Sequence, residues 1–197
     1  MAHQQHHVIY IPGIHDDAYR VQGLIVKIWW LLGVHGHCHV MPWAGQAGYE
    51  FKIQRLRSEI DKYSGRGHRV SLIGASAGAS AVLNLYIEDP NKISGVSLIC
   101  PKINRPETVS QKTYAANPAF RIALELLQSN VTKLTATDKS RVTVYYSPKD
   151  GVVSYADGRI PAVQERRLPP VRHGFAIIYA LTLGSPRLLN RLKQSTT

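Results

Sequence analysis

Short apolar runs alternate with stretches in which apolar residues recur every three or four positions, and the alternation holds along the whole chain. Val8-Ile9-Tyr10-Ile11 is a run closed by Pro12-Gly13, after which Val21, Leu24, Ile25, Ile28, Trp29 and Leu32 line one helical face. Val34 to Trp43 predicts a second strand, and Ile53, Leu56, Ile60 and Tyr63 a second helix. Arg69 to Ala75 reads as the third strand, with Ala79, Val82, Leu83, Tyr86 and Ile87 marking the helix behind it. Ile93 to Cys100 is a fourth strand ended by Pro101. A polar stretch from Asn104 to Asn117 leads to a helix marked by Phe120, Ala123, Leu124 and Leu127. Arg141 to Tyr146 and Gln164 to Leu168 predict two more strands, and Phe175, Ile178, Tyr179 and Thr182 begin the last helix.

Strands separated by helices pair in parallel through right-handed crossovers, which bury both faces of the sheet. The pattern therefore predicts an α/β three-layer sandwich on a mostly parallel six-stranded sheet. With no repeat, linker or low-complexity tract, one domain over 1–197 is expected, its first seven residues disordered. Ligands of such sheets bind beyond the carboxyl ends of the strands, so that edge is where chemistry is sought.

Gly74-Ala75-Ser76-Ala77-Gly78 sits at such an end, between strand and helix. A serine on so sharp a turn has its hydroxyl pushed outward, and the strained backbone crowds the residues two before and two after. Glycine fills both of those positions. A serine hydroxyl becomes a useful nucleophile only beside a base, usually histidine, itself oriented by a carboxylate. Asp150 follows the fifth strand and His173 the sixth, so acid and base come after the serine at successive strand ends. Asp157 and Asp138 are rival acids placed less directly.

With those residues in view the chain resembles the α/β-hydrolase superfamily over nearly its whole length. The matching segments are Ile11-Pro12-Gly13-Ile14-His15, Gly74-Ala75-Ser76-Ala77-Gly78, Asp150-Gly151-Val152-Val153 and His173-Gly174. The resemblance implies Ser76 as nucleophile, His173 as general base, Asp150 as its orienting acid, and an oxyanion hole from the backbone N–H groups of Ala77 and Ile14. His15, after the oxyanion loop, is a candidate substrate contact. Two departures accompany it: the first two strands common in the superfamily are missing, and Asn104 to Asn130 leaves room for a helix and a loop over the site but no full cap. The implied activity is hydrolysis of a carboxylic ester or thioester of a small-molecule acyl substrate, without cofactor or metal. An amidase or peptidase with the same triad, or a non-catalytic binding protein on the same scaffold, are the alternatives.

Charge and composition alter this picture little. Twenty-four Lys and Arg against thirteen Asp and Glu leave a net charge of +11, but the cations are scattered, with none of the aromatic-laced basic motifs of a nucleic-acid module. No specific nucleic-acid partner is expected. The longest apolar stretch, Leu24 to Val34, contains Lys27 and is too short to cross a bilayer. With no secretory signal and only Cys38 and Cys100, a cytoplasmic protein is expected; its oligomeric state is not legible. His35, His37 and His39 alternate onto one strand face and could hold a metal, but no fourth ligand is evident.

Overall fold

In the computed structural model, residues 4–14, 19–45 and 47–195 are described. The chain runs through β1 (His6–Ile11), α1 (Tyr19–Lys27), β2 (His35–Cys38), α2 (Tyr49–Ser64), β3 (Arg69–Ala75), α3 (Gly78–Glu88) and β4 (Gly95–Ile99). It continues through α4 (Gln111–Ala116), α5 (Pro118–Asn130), α6 (Ala136–Ser140), β5 (Val142–Tyr146), α7 (Tyr155–Gly158), β6 (Gln164–Arg167), α8 (His173–Leu181) and α9 (Ser185–Gln194). All strand pairs are parallel, in the order β2-β1-β3-β4-β5-β6.

Alternate side chains of the central strands enter two separate apolar layers, which is why those strands read as unbroken apolar runs. Ile9, Ile11, Val70 and Leu72 pack under α2, α3 and α5. Val8, Tyr10, Ile73 and Ala75 pack under α1, α8 and α9. Because every strand runs the same way, the ends of β3, β5 and β6 open on one edge of the sheet.

Four expectations need correction. His6 and His7 are not a disordered start: both are buried in β1, where His7 pairs in register with His35 and Val70. The second strand covers only His35–Cys38, since Pro42 and the turn around Trp43 leave the sheet. Of the helical face expected after β1, Trp29 is buried and Ile25 and Leu32 pack partly against the core, but Val21, Leu24 and Ile28 point outward, and Gln22 and Val26 take the inward positions. Gln22 is drawn inside because its Oε1 accepts from the Tyr10 hydroxyl at 2.9 Å, and a 3-10 turn over Ile28–Leu32 then re-phases the chain. The last helix is two helices, broken at Thr182–Gly184, and α8 buries Ala176, Ile177, Ala180 and Leu181 while Phe175 is exposed. Between β4 and β5, α5 packs against α3 as part of the helical layer, which leaves α4 and a 3-10 turn over Pro106–Thr108 as the short excursion.

Candidate active site

Ser76 follows β3 with φ of +51°, a left-handed conformation that serine rarely adopts. Its N–H donates to the Ile99 carbonyl at 3.0 Å, and its carbonyl accepts from the N–H groups of Ala79 and Lys102, each at 3.2 Å, so the strained turn is held from three sides. The flanking glycines are sterically required. A Cβ on Gly74 would lie 2.7 Å from the Ala79 Cα, and one on Gly78 would lie 2.3 Å from the Ile11 carbonyl oxygen. From Val70 to Tyr86 every residue is buried except Ser76.

Gly13 stands directly over this turn: a Cβ there would come within 3.0 Å of the Ser76 Cβ and 3.5 Å of its Oγ. The loop carrying Ile14 therefore lies against the serine. The Ala77 N–H, ahead of α3, has no acceptor among the described residues. His15 lies outside the described residues.

Asp150 and His173 form a tight pair. His173 Nδ1 is 2.9 and 2.8 Å from the two carboxylate oxygens, and the His173 backbone N–H donates to the Asp150 carbonyl at 2.9 Å. Asp150 Oδ1 also accepts from the N–H groups of Val152 (3.0 Å) and Val153 (2.7 Å), in a turn that Gly151 completes at φ of +75°. Burial pushes the Asp150 pKa up, but the hydrogen bonds from His173 and Val153 outweigh it and hold the carboxyl below its ordinary value. An ionised carboxylate only accepts, so Nδ1 carries the proton and Nε2 is the basic nitrogen. An open groove of about 490 Å³, lined by Lys149, Val152, Arg172 and Gly174, exposes the pair. Ser76 Oγ and His173 share no hydrogen bond here; such bonds often tighten only when substrate is bound.

Two further residues support the pair and escaped the sequence reading. Ser147 Oγ lies 2.8 Å from the Pro169 carbonyl and 2.6 Å from that of Val171, and accepts from the Val171 N–H at 3.1 Å. It ties the loop that carries Asp150 to the loop that leads into His173. Cys100, buried at the end of β4 with φ of +46°, brings its thiol within 4.8 Å of the ligand atoms of Asp150 and His173. A serine after a buried strand gives no signal of its own, and a buried cysteine reads as core.

The rival acids have other duties. Asp157 is paired with Lys102 and Arg105, each at 2.8 Å. Burial works against its charge, yet hydrogen bonds from Lys102, Arg105 and Ser154 bring its pKa down to about 2. Asp138 closes a capping box with Thr135 and pairs with Arg141.

The histidine strand lies at the far edge of the sheet from β5 and β6. His37 Nε2 meets His7 Nδ1 at 2.9 Å, His7 stacks on His35 and Tyr63, and His39 bonds Glu59 at 2.7 Å. Among the described residues only Cys100, Asp150 and His173 bring three potential ligand atoms within 4.8 Å of one another.

Neither a family model nor a curated relative matches the sequence. Solved structures do. The chain superposes on Est1E from Butyrivibrio proteoclasticus with a TM-score of 0.71 at 13% identity, covering 97% of this chain and 90% of that one. The fold is that of the α/β-hydrolases. An S-formylglutathione hydrolase from Agrobacterium tumefaciens matches this hydrolase fold at TM-score 0.66 and 13% identity, over 99% and 86% of the two chains. A haloalkane dehalogenase, DatA, from the same organism matches at TM-score 0.61 and 13% identity, over 97% and 91%. Among the described residues no helix of this hydrolase fold is long and apolar enough to cross a membrane. Ester, thioester and carbon–halogen chemistry share this scaffold, so the reaction has to be argued from side chains at the site.

Proposed function

We propose that the protein is a serine hydrolase that cleaves a carboxylic ester or thioester through an acyl-enzyme on Ser76. The observation that carries this reading is that Ser76 alone stays partly accessible within a buried strand–helix turn, on the edge where Asp150 and His173 are paired. His173 Nε2 takes the Ser76 proton as Oγ attacks the substrate carbonyl. Asp150 holds the imidazole in the tautomer that leaves Nε2 basic and stabilises the imidazolium that forms. The N–H groups of Ala77 and Ile14 receive the negative charge on the carbonyl oxygen, each such donor supplying about 3 kcal/mol in comparable sites. Expulsion of the alcohol or thiol takes the proton back from His173. Water activated by the same nitrogen then releases the acid and restores Ser76.

A serine hydroxyl, and not a carboxylate, as the nucleophile at the turn favours ester over carbon–halogen cleavage. The groove beside His173 is open, which suits small or extended acyl groups. Labelling with a fluorophosphonate and turnover of a p-nitrophenyl ester test the reading, comparing wild type with Ser76→Ala and His173→Ala. Both signals should vanish in both variants at unchanged melting temperature. Turnover retained by folded Ser76→Ala rejects it.

A further inference from the structure

The charges that look scattered along the sequence are sorted by the fold. Between Asp17 and Glu50, and again after Glu165, the sequence has no acidic residue. Those two stretches build one layer: α1, the 3-10 turn behind it, α8 and α9. That layer and its caps carry Arg20, Lys27, Arg172, Arg187, Arg191 and Lys193, and none of these six is in an ion pair among the described residues. Among the described residues the opposite layer holds cations without ion pairs too, such as Arg55 and Lys62, but it also carries acids, and pairs such as Arg57–Glu88, Lys92–Asp61 and Arg121–Glu125 offset part of its charge.

The same layer presents an apolar stripe to solvent. Val21, Leu24, Ile28 and Leu31 recur at intervals of three and four along α1 and the 3-10 turn, and all are more than half exposed. Trp30 stands beside them at 63%. Trp29 Nε1 donates to the Leu181 carbonyl at 3.1 Å, which fixes α8 alongside, and α8 and its end add Phe175 and Leu183, at 71% and 80%. Scattered exposed apolar residues are ordinary, whereas a continuous set on one face marks an interaction surface.

We infer that this layer docks on an anionic lipid bilayer surface. Leucines, a tryptophan and a phenylalanine on helices that, with their caps, also carry the exposed, unpaired Arg20, Lys27 and Arg172 make an amphipathic face that lies in the headgroup region, apolar residues inserted and cations against lipid charge. A second copy of the chain would set two acid-free, cationic faces against each other, and the repulsion opposes that occupant. Both α1 and α8 begin at the sheet edge that carries the site, and Phe175 lies two residues beyond His173. Docking therefore brings the groove beside His173 next to the lipid surface. The docking surface stands on its own charge and exposure, whichever chemistry Ser76 performs.

The test is sedimentation of the full chain with phosphatidylcholine vesicles, with and without about one-third phosphatidylserine. Wild type should sediment with the anionic vesicles only, and less as salt rises. Arg20→Gln and Lys27→Gln should each weaken binding about fivefold, equivalent to about 1 kcal/mol per charge. Leu24→Glu with Leu31→Glu should abolish it at unchanged melting temperature, since both side chains face solvent. Failure of wild type to sediment overturns the inference. So does undiminished binding by the leucine variant, which would reduce the effect to bulk charge. A wild-type dimer in analytical ultracentrifugation that the leucine variant dissociates, without vesicle binding, assigns the face to a second copy and overturns it too.

Discussion

Gly78→Ala isolates the steric logic of the serine turn. The new methyl would sit 2.3 Å from the Ile11 carbonyl oxygen and 2.7 Å from that of Pro12, and both obstacles are backbone. Ordinary contact begins near 3.4 Å, so α3 must retreat from β1 by about 1 Å to admit it. Overpacking of this kind costs about 2–3 kcal/mol where no flexible side chain can swing away. The loss of unfolded-state entropy on Gly→Ala returns at most about 1 kcal/mol. For a chain of this size the net loss lowers Tm by roughly 2–12 °C. The retreat also carries Ser76 and the Ala77 N–H out of line, and a displacement of about 1 Å can cost about 100-fold in kcat. Thermal melts and ester turnover, run beside Gly174→Ala, form the assay. A Cβ on Gly174 meets nothing within 4 Å, so that variant should match or exceed wild type in stability, by up to about 1 kcal/mol. Wild-type Tm and kcat in Gly78→Ala would refute the account of why glycine stands there.

Three other outcomes are expected. Asp150→Asn keeps an acceptor for Val152 and Val153 but can donate to Nδ1, which reverses the tautomer; kcat on an ester should fall by about four orders of magnitude near neutral pH at similar Tm, and a loss under tenfold would remove Asp150 from the proposed machinery. Ser147→Ala strips the tie between the two loops, so kcat should fall by up to about 100-fold with KM little changed, and a lowered Tm with unchanged kcat would mark the tie as merely structural. Burial, then the neighbouring His37, His35, His68 and Lys62, lowers the His7 pKa from 6.5 to about 4, and burial with Arg69 does the same for His6. The unfolded chain therefore takes up protons that the folded one refuses, and Tm should fall as pH drops from 6.5 toward 4; His7→Phe, which keeps the stack on Tyr63, should flatten that slope, and an unchanged slope would count against it.

The parts of the candidate site set by backbone geometry are legible in the sequence. Ser76 announces itself because its turn excludes Cβ atoms at Gly74 and Gly78, and a strand end before it and a helix after it leave few other structures. Asp150 and His173 are legible through their order at strand ends, and the structure brings those two together. What escaped depends on contacts between distant segments. Ser147 matters because two loops cross over its hydroxyl. The inward face of α1 is legible only in part, because this helix is apolar on both sides and the Tyr10 hydroxyl that holds Gln22 inside comes from a neighbouring strand. In α8, likewise, Ala176, Ile177, Ala180 and Leu181 face the sheet while Phe175 stays out, a phase that apolar spacing alone leaves open. His6 and His7 read as a polar leader until the register sets them beside Arg69 and Val70.

The two outermost strands are each only four residues long, His35–Cys38 on one side and Gln164–Arg167 on the other. An open parallel sheet leaves unpaired backbone groups at both margins, and such margins are where molecules recruit one another into fibrous cross-β assemblies. Both margins are too brief to template a partner well, and β6 spells Gln-Glu-Arg-Arg, whose like charges would face each other in a parallel copy. Self-association by strand addition is thereby disfavoured, which protects the hydrogen-bonded framework that positions Ser76 and Asp150 from one common route to misassembly.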